Sequence, residues 1–158
     1  MGYLLDIITL FFLFEVMLWS QITKQLDCPD DLLDIYFRPI HMSDWSRLID
    51  WIGNHPCLSF VNWYDPISDR NYDSITKDTN TGLRTSGFNF QATLNIDNMI
   101  LSIHYFLPIE VECDVKPKEV VDQAHFEKLV CILDEIAQTV NVKCYSFEDT
   151  DVLAKRFL

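Results

Sequence analysis

The stretch Phe88-Asn-Phe-Gln-Ala-Thr-Leu-Asn-Ile-Asp-Asn-Met-Ile-Leu-Ser-Ile-His-Tyr-Phe-Leu107 decides the fold. Phe88, Phe90, Ala92, Leu94 and Ile96 alternate with Asn89, Gln91, Thr93 and Asn95, the period-two pattern of a strand with one buried face. Asp97 and Asn98 then fill a two-residue turn, and both residue types tolerate the positive φ that a type I′ turn requires. That turn sets the register: Ile96 faces Met99, Leu94 faces Leu101, Ala92 faces Ile103, Phe90 faces Tyr105 and Phe88 faces Leu107. All of these are apolar or aromatic. Polar pairs such as Thr93 with Ser102 and Gln91 with His104 fall on the opposite face, which is therefore at least partly wet, and Pro108 ends the second strand.

Working outward, Pro117 suits the first turn of a long helix near 117–140. Phe126, Leu129, Val130, Leu133, Ile136, Ala137 and Val140 recur at helical spacing, with Glu127, Lys128, Asp134, Glu135 and Gln138 opposite, so the apolar stripe packs on the hairpin. Upstream, Ile35 to Ile40 reads as a short strand. Ser43 then caps a helix from Asp44 to Ile52, whose buried stripe is Trp45, Leu48, Ile49 and Ile52. Leu58 to Tyr64, apolar on both faces, reads as a covered strand; Val142 to Phe147 is a last strand, and Thr150 or Asp151 caps a terminal turn. The expected fold is one α+β domain, an antiparallel sheet with a central hairpin (88–96/99–107) packed against helices.

The N-terminus is nearly continuous apolar sequence from Ile7 to Trp19. A signal peptide would begin with a basic region and end at a small-residue site, and neither is present. A membrane span needs about 20 apolar residues, whereas Tyr3 to Trp19 gives 17 and is interrupted by Asp6 and Glu15. The segment is expected to be a helix over about 3–24, buried against the domain or a second copy of the chain, in a cytoplasmic protein. Five cysteines, Cys28, Cys57, Cys113, Cys131 and Cys144, with no C-x-x-C pair, read as reduced thiols rather than a disulfide framework.

With 24 Asp and Glu against 12 Lys and Arg, the chain carries a net charge of −12, spread along its length. Such a surface repels nucleic acid and anionic membranes and speeds encounter with basic proteins, while also serving plain solubility. No catalytic elbow, zinc spacing, calcium loop or glycine-rich phosphate loop occurs, so no catalytic residue, metal or cofactor is assigned. What remains is recognition. Trp63, Asp65, Asp69, Arg70, Tyr72, Asp73 and Asp78 lie at the end of a strand and in the long polar segment after it. Aromatics and arginine beside carboxylates are the residue types that anchor interfaces. Arg47 and Trp51, four apart on the first helix, add a second candidate patch in which the guanidinium could stack on the indole.

The stretch Asp44-Trp-Ser-Arg-Leu-Ile-Asp-Trp-Ile52, then His55-Pro56 leading to Asn62-Trp63-Tyr64, with the later hairpin and the long helix from His125, resembles small acidic immunity proteins of bacterial polymorphic and contact-delivered toxin systems. The nearly uncharged N-terminal run departs from that class. The resemblance implies a non-enzymatic, cytoplasmic antitoxin that binds one cognate toxin. Two alternatives stay open: a viral or phage anti-defence inhibitor that imitates nucleic acid, and a small enzyme whose site is assembled by the fold.

Overall fold

A computed structural model describes Trp19 and residues 32–56, 59–65, 69–73, 90–147 and 153–155. Its strands are β1 (Leu33–Phe37), β2 (Ser59–Asp65), β3 (Arg70–Tyr72), β4 (Phe90–Ile96), β5 (Met99–Leu107), β6 (Glu110–Val115), β7 (Cys144–Phe147) and β8 (Leu153–Lys155). They form one sheet in the order β3-β2-β4-β5-β6-β1-β7-β8, and every neighbouring pair is antiparallel. Among the described residues two α-helices of more than three turns, α1 (Met42–Asn54) and α2 (Gln123–Thr139), complete an α+β fold.

The β4–β5 hairpin stands in the middle of the sheet with the register its sequence sets: Ile96 opposite Met99, Leu94 opposite Leu101, Ala92 opposite Ile103 and Phe90 opposite Tyr105. Asp97 and Asn98 take φ values of 53° and 72°, both in the left-handed region that a type I′ turn needs. Phe88 lies outside the described residues. Because side chains alternate, this one register sends Ala92, Leu94, Met99, Leu101 and Ile103 inward, all at most 2% exposed. The neighbouring strands follow suit, with Ile35 and Phe37 of β1 and Val111, Cys113 and Val115 of β6 fully buried on the same side.

Helix α1 covers this face near β2 and β5, where Trp45, Leu48 and Ile52 surround a small void with Trp63, Ile103 and Tyr105. Its start is earlier than the sequence reading. His41, not Ser43, occupies the cap, and the Asp44 carboxylate reaches back to accept the His41 backbone N–H at 2.7 Å. Three residues into a helix, a carboxylate meets unpaired N–H groups, so Asp44 outcompetes the shorter Ser43 hydroxyl. Helix α2 runs antiparallel to α1: Arg47 Nε donates to the Thr139 carbonyl at 2.9 Å, while His55, farther along α1, meets Glu135, a turn earlier on α2. The whole apolar stripe from Phe126 to Val140 is buried, as its spacing requires.

The long helix also starts later than expected. Pro117–Glu119 is a single 3-10 turn, the chain straightens through Val120, and α2 begins after Asp122. Val120 is fully buried whereas Val121 is 66% exposed. Asp122 then supplies a side-chain cap, accepting the His125 backbone N–H at 2.9 Å, which restarts the helix. The acidic knot Glu110, Glu112 and Asp114 is a strand face, alternating with Val111, Cys113 and Val115. Where a terminal turn is expected, the chain adds β8 to β7; Thr150 and Asp151 lie outside the described residues. Of the N-terminal stretch only Trp19 is described; it is helical, and its ring lies 5.6 Å from that of Phe126. No helix among the described residues is long and apolar enough to cross a membrane.

Two measurements check this frame. Leu101→Ala, a fully buried deletion between β4 and β6, should cost about 2–5 kcal/mol in urea unfolding; a loss near zero would mean that the hairpin is not central to the core. Asp122 is held below the usual carboxylate range, first by its side-chain bond to His125 and then by the His125 backbone N–H. A carboxylate depressed in the folded state stabilises above its unfolded value and loses that contribution as pH falls through the folded one. The melting-temperature gap between wild type and Asp122→Ala should therefore be widest near neutrality and close below about pH 4. A gap independent of pH would contradict the cap.

Candidate protein-binding site

Strands β2 and β3, with Asp69 and Asp73 on either side of β3, carry most of the candidate residues singled out in the sequence. Trp63 is 4% exposed and packs beneath α1, so it belongs to the core rather than to the surface. Asp65 is also buried, opposite Arg70 at the end of the β2–β3 pair. Between them the chain reverses, with Asp69 at φ 50°, a left-handed position that aspartate accepts more readily than most residues. The Tyr64 hydroxyl donates to Asp69 Oδ1 at 3.0 Å. That bond and the adjacent negative charge push the Tyr64 phenol above its ordinary range. Tyr72 is half-buried against the core, and this edge shows solvent Asp69, Arg70 and Asp73. Asp78 lies outside the described residues.

Arg47 and Trp51 do not stack on one another. Arg47 Nη2 pairs with Asp44 at 2.5 Å and its Nε caps the α2 carbonyl of Thr139, so the guanidinium leans toward two acceptors instead. Unpaired carbonyls at a helix C-terminus carry partial negative charge and draw such a cation. Trp51, half-buried, packs its ring 4.8 Å from that of His55. The two candidate patches thus lie on different parts of the fold, the β2–β3 edge and the outer side of α1.

A third surface was not singled out in the sequence. The face of the sheet opposite the helices is built from the alternate residues of the same strands. Across it runs one continuous register row: Ser146, Tyr36, Glu112, His104, Gln91, Tyr64 and Asn71. A second row sets Asp34 against Asp114, then Ser102, Thr93 and Asn62. His104 Nε2 bonds Asp114 Oδ2, and the His104 ring stacks on Phe106, 5.0 Å away and 44% exposed. Arg38 lies over the Tyr36 ring at 5.0 Å and bridges to Glu110 at 3.0 Å.

Electrostatically this face is one-sided. Strands β1, β2, β4, β5 and β6 contain no lysine or arginine, and the cations that flank Asp34, Glu110, Glu112 and Asp114 along those strands are Arg38, just past β1, and Lys116, just past β6. Like charges directly across a strand pair destabilise it, and Asp34 opposite Asp114 is such a pair, relieved by His104 on the Asp114 side. Ser102 makes no hydrogen bond to His104 among the described residues, the link through which histidine would activate a hydroxyl. Nor do three His, Cys, Asp or Glu side chains gather there, or elsewhere among the described residues, as metal ligands would. The signal for this face was present in the sequence as the alternation of Glu110 to Val115, which shows only when the acids are read as every second residue of a strand.

Comparison with family models, with curated proteins and with solved structures gives no match. The site's chemistry therefore rests on its own geometry. The Tyr64–Asp69 link offers a direct check: Asp69→Asn should let Tyr64 ionise at lower pH, seen as phenolate absorbance in a difference titration against Tyr64→Phe. An unchanged titration would show that the hydroxyl does not meet this carboxylate.

Proposed function

We propose that the protein is a non-catalytic binding module for a basic protein, and that it acts as an immunity protein, holding a cognate toxin inactive. The observation that supports this reading most is the sheet face opposite the helices. Three half-buried carboxylates, Asp34, Glu110 and Glu112, and the buried Asp114 that bonds His104, stand among the aromatic rings of Tyr36, His104 and Phe106, with Arg38 and Lys116 at the border. Aromatic anchors within a polar, single-signed surface suit a protein partner of opposite charge, because the rings supply desolvated contact area and the charges supply steering. Through Tyr64 and its bond to Asp69 the same face continues to the β2–β3 edge, where Asp69 and Asp73 extend the negative surface. The net charge of −12 gives this field its long range.

A complex of this kind behaves distinctively with salt. Steering acts on encounter, and screening shortens its reach to about 8 Å at physiological ionic strength, so added salt should slow association much more than it speeds dissociation. The test is to purify a tagged full-length copy from its native cell, identify the protein that comes with it, and measure its binding kinetics across a salt series. A basic partner with salt-sensitive association is expected. Replacing Asp69 with Asn, which also accepts its left-handed φ, and the exposed Asp73 with Ala should slow association while leaving thermal stability within about 0.5 kcal/mol. An acidic partner, or association indifferent to salt, would overturn the reading.

A further inference from the structure

On the helix side of the sheet, where α1 ends beside α2, a cleft of about 800 Å³ opens over the hairpin turn. Its size is that of small-molecule sites, which run from about 300 to 1,000 Å³. Three elements build it. Trp51, Asn54 and His55 come from the last turn of α1 and its cap, Lys128, Cys131, Ile132 and Glu135 from one face of α2, and Ile96 with Asp97 from the turn. The floor is apolar, with Ile96 and Ile132 buried at 5% and 6% exposure, and the half-buried Trp51 ring forms a wall.

The polar groups around that floor are weighted toward acceptors. Glu135 Oε2 is taken by His55 Nε2 at 2.9 Å, but among the described residues its Oε1 meets the Cys131 thiol alone, at 3.8 Å, a weak donor. The Asn54 amide nitrogen donates to the Asp50 carbonyl, which leaves its carbonyl oxygen with no partner among the described residues. The one lysine, Lys128, is already bonded to Asp97, and both stand half in solvent at the rim. A ligand that donates hydrogen bonds is therefore better matched than one that accepts them. The chain's charge of −12 and the electron-rich face of an indole favour the same sign.

We propose that this cleft is a binding site for a small organic cation whose flat apolar body lies against Trp51 and whose N–H groups reach Glu135 and Asn54. The site is separate from the protein-binding face across the sheet and stands or falls without it.

Benzamidinium is the probe, added to the full-length chain and followed by amide chemical shifts. Shifts should centre on Trp51, Asn54, Ile132 and Glu135 and saturate in the millimolar range, with benzoate giving none. Glu135→Gln should weaken binding about tenfold, the usual loss for a charge-assisted hydrogen bond. Cys131→Phe, at an exposed position of α2, should fill the cleft and abolish the shifts while the melting temperature holds. The proposal is overturned if benzamidinium leaves these amides unmoved, if benzoate binds equally well, or if both variants bind as the wild type does.

Discussion

Everything in the sheet takes its phase from two consecutive left-handed residues. Asp97 at φ 53° and Asn98 at φ 72° close the β4–β5 hairpin in two residues, a turn whose twist matches that of the strands it joins. A shift of β5 by one residue against β4 would exchange the faces of β5, placing Ser102 and His104 under the helices and Leu101 and Ile103 in water. Burial of the aliphatic side chains stabilises the observed register by about 1.5–3 kcal/mol for each Leu or Ile, so the alternative has no comparable support. β2 and β6 pair with the hairpin's outer edges and inherit its alternation; β1 follows on β6 and β7 on β1.

The same alternation that builds the core also builds the opposite face. Each inward Val, Cys or Ile of β1 and β6 is separated from the next by an outward Asp, Glu or Tyr, so the acids of these strands are forced into one surface rather than scattered. In the helices the charges are instead tied down locally. Asp44 closes the start of α1 and holds Arg47, Asp122 starts α2, and Glu135 pins the end of α1 through His55. On the sheet face Glu110 and Asp114 are paired as well, with Arg38 and His104, whereas Asp69, Arg70 and Asp73 at the β2–β3 edge face solvent.

The hairpin, its register and both helical stripes were legible in the sequence because each rests on a local rule: strict alternation, a two-residue turn, or apolar residues at i, i+3 and i+4. Boundaries were less so, for reasons that are also local. A 3-10 turn and a second cap at Asp122 interrupt what reads as continuous helix from Pro117, and Asp44 reaching back to His41 moves the start of α1. Strands β3 and β8, three residues each, are too short to carry a period. The candidate site was legible only in part. Exposure of Asp69, Arg70 and Asp73 follows from their polarity, whereas Trp63 is drawn into the core by α1, and no rule of spacing tells an anchor tryptophan from a core one. Arg47 chose Asp44 and the end of α2 over Trp51, a choice made by tertiary structure.

The account turns on the sheet face opposite the helices being the surface that meets a protein. Hydroxyl-radical footprinting reads it directly, since Tyr36, His104 and Phe106 are reactive side chain types placed on that face. With the protein that co-purifies from the native cell added at saturation, modification of Tyr36 and Phe106 should fall severalfold while that of Trp51, on the helix side, stays constant. Protection confined to Trp51 and the helices, with Tyr36 and Phe106 oxidised as fast in the complex as alone, would contradict it.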